Sequence, residues 1–122
     1  RSRIDLLLTP ADSNPDQRPI YLEVKNTTWT DGPTALFPDT VTERGQKHLV
    51  ELMGVPPDAS AVLVPGLSRP DVTGFAPGDS ADPRYGELFR QAIEAGVEVL
   101  PCCFRFQADR IRWEGIRPLR PV

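Results

Sequence analysis

The chain has 122 residues, a formal net charge of -3, 39% apolar residues, 14 prolines, two cysteines and one histidine. That length suits one domain with its own packed core, and no apolar run approaches the roughly 20 residues that cross a bilayer as a helix. The acidic balance excludes a general attraction to nucleic acid, and the neighbouring Cys102 and Cys103 exclude a disulfide or zinc framework, leaving reduced thiols that fit a cytoplasmic protein.

Arg1 opens directly onto a strand pattern, which reads as a domain cut from a longer protein. Ile4, Leu6 and Leu8 alternate with Arg3, Asp5 and Leu7, and Ile20, Leu22 and Val24 alternate with Tyr21, Glu23 and Lys25, so both stretches are predicted as strands. The proline-rich segment Thr9 to Pro19 joins them as a long-looped hairpin. Asp31-Gly32-Pro33 reads as a turn before a short strand near Ala35 to Phe37.

Thr40-Val41-Thr42-Glu43 matches a capping box, opening a helix of about three turns that Gly54 and Pro56-Pro57 end. Ala61 to Val64 is expected as a buried strand and Pro65 to Asp82 as irregular connection. Asp82-Pro83 places an N-cap and a proline at the first helical position, and Tyr85, Leu88, Phe89, Ala92 and Ile93 follow at helical spacing before Gly96. Val97 to Phe106, interrupted at Pro101, then returns as a strand over Ile111 to Trp113. The predicted class is α/β or α+β, a mixed central sheet flanked by helices.

Glu23 and Lys25 lie two apart on a strand and share one face. If the Thr9–Pro19 loop closes symmetrically, residues whose numbers sum to 28 are opposite, and Asp5 then faces Glu23. Facing carboxylates destabilise a sheet and oppose each other's ionisation. A divalent cation reverses that sign, and Asp5, Glu23 and the Val24 carbonyl are the oxygen donors Mg²⁺ accepts alongside water and phosphate. Lys25 would then hold or activate the attacking water. The same residues also read simply as the wet face of a hairpin.

RSRIDLLL, YLEVKNTT and LFPDTVTERGQKHLVELM, followed by GFAP, DPRYGELFRQAIEAGVEVL and a late EGI, resemble the sugar fermentation stimulation protein A (SfsA) family over essentially the whole chain. The resemblance implies a PD-(D/E)xK nuclease-like core across residues 1–122, with the small OB-fold domain that precedes it in family members absent from this chain. It implies Asp5 and Glu23 as the motif's two acids, Lys25 as its lysine and Gln46 as a helix glutamine near the same site. It also implies Mg²⁺ or Mn²⁺ as cofactor, DNA and possibly RNA as partner, a cytoplasmic location and a link to sugar utilisation.

His48 is read as a hydrogen-bonded helix histidine, and Glu43 as the acid of the capping box. Arg3, Arg44 and Lys47 are candidates for phosphate contact at the mouth of the site. The run from Arg105 to Arg120, with Phe104, Phe106 and Trp113 interleaved, could contact nucleic acid or form a strand with one buried and one wet face. The leading expectation is a metal-dependent DNA/RNA nuclease domain; the alternatives are a non-catalytic DNA-binding regulator of sugar (maltose) utilisation genes and a protein-interaction scaffold.

Overall fold

Residues 4–10 and 17–120 are described by a computed structural model. Arg3 and the tip of the first loop therefore lie outside the described residues. β1 (Leu6–Leu8) and β2 (Ile20–Thr27) pair antiparallel, with Leu6 opposite Leu22 and Leu8 opposite Ile20. This is the register of symmetric closure, and it sets Asp5 level with Glu23. β3 (Trp29–Asp31) and β4 (Thr34–Phe37) form a second hairpin, turned at Gly32 with φ +57, where a side chain would be strained.

α1 (Glu43–Met53), β5 (Ser60–Leu67), β6 (Gly74–Pro77), α2 (Pro83–Glu94), β7 (Glu98–Val99), β8 (Cys102–Gln107) and β9 (Arg110–Ile116) follow. The larger sheet has the order β1-β2-β5-β8-β9, with β7 beside β5, and the smaller has the order β3-β4-β6. β2, β5 and β8 run parallel and the outer strands antiparallel, so the fold is a mixed α+β one.

Three expectations need correction. The strand expected over Ala61–Val64 continues through Pro65 to Leu67. Pro65 lacks the N–H a ladder uses, but it sits between Leu63, opposite Val99, and Gly66, opposite Cys102, where the partner strand is itself broken at Pro101. The stretch expected to be irregular contains β6, four buried residues whose Gly and Pro ends hide a strand from any propensity argument. The N-cap of α1 is Thr42 rather than Thr40: the Thr42 hydroxyl accepts from Gly45 N–H at 3.0 Å. Its third helical residue, Gly45, has no side chain to return the bond, so the Thr42 N–H donates to Asp82 Oδ2 instead, at 2.9 Å.

Asp82 is itself the N-cap of α2, accepting from Tyr85 N–H at 3.0 Å. One carboxylate thus caps both helices and fixes their starts together. Leu49 and Leu52 of α1 and Tyr85, Leu88, Phe89 and Ala92 of α2 share one core with Ala61, Leu63 and Leu67 of β5, each large aliphatic group contributing roughly 1.5–3 kcal/mol by burial.

Alternation and register put Glu23 and Lys25 on this helix-covered face, next to α1. The β8–β9 pair carries a bulge at Glu114–Gly115, Gly115 taking φ +104. After β9 the chain straps onto β6: Arg117 Nε donates to the Val72 carbonyl at 2.9 Å, Phe75 N–H to the Pro118 carbonyl at 3.0 Å, and Arg120 N–H to the Phe75 carbonyl at 2.8 Å.

Candidate functional site

β1 ends its ladder at Leu6, so Asp5 is released from pairing with its backbone beside the middle of β2. Its N–H donates to Glu23 Oε1 at 3.0 Å, and its own Oδ2 accepts from Val24 N–H at 3.0 Å. The two acids are held against each other by reciprocal backbone bonds. Val24 N–H points to the β1 edge, and in an extended strand the carbonyl of the same residue points to that edge too. Two carboxylates and one carbonyl therefore meet where β1 stops.

Glu23 is 1% exposed, which is rare for a carboxylate. Its Oε2 lies 3.3 Å from Lys25 Nζ and 3.1 Å from His48 Nδ1, while Lys25 Nζ is 2.6 Å from His48 Nδ1. Burial raises the Glu23 carboxyl above its ordinary 4.5; Lys25 and the Asp5 N–H pull it down, and the Asp5 charge adds to the rise. Burial also lowers the His48 imidazole, and the charges of Lys25 and Arg44 lower it further.

His48 is the hydrogen-bonded helix histidine expected, and its partners Lys25 and Glu23 bring it into this site. The signal was available: Gly45, His48, Leu49 and Leu52 recur at i, i+3, i+4 and i+7, so the chain's single histidine occupies the buried stripe of α1. A polar ring there needs a polar partner on the strand beneath.

Gln46 is placed elsewhere. Two residues from His48 it points well round the helix, and its amide donates to Asp82 Oδ1 and Oδ2 at 3.1 and 3.0 Å. In this structure it serves the helix–helix cap rather than the Asp5–Glu23 pair. Arg44 is exposed on α1 close enough for its charge to act on His48. Lys47 lies instead in a groove of about 560 Å³ with Gln46, Val50, Arg84 and Leu88. Glu43 is the first residue of α1 and closes no capping box.

The late arginines are largely engaged. Arg105 bonds Glu114 at 2.6 Å, Arg110 bonds Asp109, and Arg117 and Arg120 serve the strap. The adjacent cysteines are free thiols.

Asp5, Glu23 and the Val24 carbonyl are hard oxygen donors, and among the described residues no group of three or more His, Cys, Asp or Glu side chains converges. Such a set suits Mg²⁺ or Mn²⁺, which keep several waters, rather than an all-protein cage.

The family model described as "Sugar fermentation stimulation protein RE domain" matches residues 1–110. A sugar fermentation stimulation protein homolog of Parasynechococcus marenigrum is 90% identical over the whole chain, which is 48% of that protein; one of Synechococcus sp. CC9605 is 85% identical over 96% of the chain and 46% of its own length. The solved structure of Pyrococcus furiosus SfsA in complex with Ca²⁺ superposes with a TM-score of 0.79 at 30% identity, covering 84% of this chain and 46% of that one. The chain spans about half the length of the curated relatives it matches. With the family model matching residues 1–110 and the fold superposing on that of SfsA, the chain belongs to the sugar fermentation stimulation protein (SfsA) family.

Proposed function

We propose that this domain binds nucleic acid and hydrolyses its phosphodiester bonds with a divalent ion held by Asp5, Glu23 and the Val24 carbonyl, in a core of the PD-(D/E)xK kind. One observation carries the reading. Asp5 and Glu23 are locked together by reciprocal backbone bonds while the Glu23 carboxyl is buried and raised in pKa, an arrangement that costs stability without a cation and gains it with one.

A bound Mg²⁺ or Mn²⁺ supplies Lewis acidity at phosphorus and a water of lowered pKa. The protein's own residues do the rest. Asp5 and Glu23 present oxygens on one edge of the sheet, and Lys25 directs an ammonium at the same place, where it orients a water and offsets charge building on the phosphate. Arg44, exposed beside the site on α1, is positioned to meet a phosphate of the strand. Pyrococcus furiosus SfsA was solved in complex with Ca²⁺, which is in keeping with a hard-ion site in this family.

The test is cleavage of labelled single- and double-stranded DNA and RNA by the full-length protein, with and without Mn²⁺. Glu23→Gln abolishes metal-dependent cleavage and leaves nucleic-acid binding in place. Equal cleavage by mutant and wild type sinks the assignment. Binding without turnover in the wild type would instead support the regulator.

A further inference from the structure

From the triangle of Glu23, Lys25 and His48, we propose that His48 is a positioning residue: its Nδ1 accepts a hydrogen bond from Lys25 and holds that ammonium at the ion-binding edge. The inference rests on the hydrolytic reading above and adds a residue to it.

Donors and acceptors decide the tautomer. A lysine ammonium has three N–H donors and no lone pair, so a ring nitrogen 2.6 Å from Lys25 Nζ must accept. That choice places the ring proton on Nε2, which is buried and has no hydrogen-bond partner among the described residues. A buried donor left in this state is unfavourable. The opposite tautomer would give Nδ1–H to Glu23 Oε2 at 3.1 Å but turn a second donor toward the ammonium. Lys25 therefore spans two acceptors, Glu23 Oε2 at 3.3 Å and His48 Nδ1 at 2.6 Å, and has one N–H left for water or phosphate.

The second acceptor matters because of what Glu23 is asked to do. Lone pairs of Glu23 that face a cation are drawn away from Lys25, and a long flexible ammonium with one weakened contact would wander. His48 is on a packed helix, 1% exposed, with Leu49 and Leu52 beside it in the core, and keeps its lone pair whatever Glu23 binds. Outer partners of this kind commonly change activity by about 10- to 100-fold when removed.

The experiment pairs His48→Phe, which fills the space but has no acceptor, with His48→Asn, whose side-chain oxygen can take the place of Nδ1. In the full-length protein His48→Phe is expected to lower kcat by about 10- to 100-fold with KM for nucleic acid within about threefold, and His48→Asn to recover most of it. Circular dichroism and thermal melting establish that both variants fold. Nitrogen-15 NMR is an independent readout: the wild type should show Nδ1 unprotonated, Nε2 protonated and a slowly exchanging Lys25 ammonium signal, which His48→Phe loses and His48→Asn keeps.

A protonated Nδ1, or a Lys25 signal unchanged in His48→Phe, overturns the proposal whatever the activities. Equal cleavage by wild type and His48→Phe overturns the role of His48 while leaving the hydrolytic reading standing. A wild type that shows the NMR contact but no metal-dependent cleavage overturns the hydrolytic reading and, with it, the catalytic consequence claimed for His48.

Discussion

Glu23 and Asp82 are both 1% exposed, yet their carboxyl groups move in opposite directions, Glu23 up and Asp82 down. Burial is the largest influence on each and raises both. At Asp82 it is outweighed by the donors that close around it, from the Thr42, Tyr85 and Arg84 backbones and the Gln46 amide. At Glu23 the donors are fewer, and the neighbouring Asp5 charge works against ionisation. A buried acid whose lone pairs are filled by the fold is structural, whereas one left short of donors beside a second acid is ready for a cation.

Removing Asp82 is the harshest way to break this comparison. Asp82→Ala leaves the Thr42 and Tyr85 N–H groups and the Gln46 amide without their acceptor. At about 1–3 kcal/mol for each buried unsatisfied group, the total loss is about 3 kcal/mol or more, read as a drop in urea midpoint and a Tm fall of about 10 °C.

A divalent ion sharpens the comparison from the other side. Ca²⁺ or Mn²⁺ at about 100 times its Kd should stabilise the wild type by about 2.7 kcal/mol in a thermal shift. Glu23→Gln should lose most of that gain, and without ion it should equal or slightly exceed the wild type near neutral pH.

The sign of the pH dependence follows. Asp82 holds its proton less tightly folded than unfolded, so its contribution is full above its ordinary 3.8 and is lost as pH falls through the lower folded value. Glu23 holds its proton more tightly when folded, so ion-free stability falls as pH rises from 4.5 to its raised folded value. Urea midpoints across pH should lose the first slope in Asp82→Asn and the second in Glu23→Gln. Retention of either slope would assign it to other groups.

The smallest effects lie at the cap. Thr42→Ala should cost about 1 kcal/mol, the usual loss of an N-cap acceptor. Gly45→Ala, which in an open helix gains about 1 kcal/mol, should gain nothing here. Its Cβ would meet Thr42 Cγ2 at 2.7 Å and Tyr85 Cε2 at 3.3 Å, and shifting Thr42 disturbs the cap. A Tm increase of several degrees for Gly45→Ala would show that the cap is more yielding than its geometry suggests.

Much of this was legible in the sequence because it is governed by local periodicity. Alternation together with symmetric closure of the Thr9–Pro19 loop gave the β1–β2 register that aligns Asp5 with Glu23, and Asp82-Pro83 announced α2 at its observed start. Long-range partners were not legible. The place of Thr42 as the N-cap depends on Asp82, which supplies from forty residues away the acceptor that Glu43 was expected to provide. Gln46 is drawn to the same carboxylate, and His48 finds its role only when α1 is laid on β2. β6 escaped because four buried residues between turn formers carry no period.

The strap after β9 has a consequence for the order of folding. Phe75 reaches its bridge with Leu119 across the whole of α2, β7, β8 and β9. Contacts of such separation form late, because the loop between them must be ordered first. The edge of β6 is therefore shielded only after α2 and the β8–β9 hairpin have settled. Until then its backbone is an open template for a neighbouring chain. A nascent or truncated polypeptide ending before Arg117 would keep that edge bare.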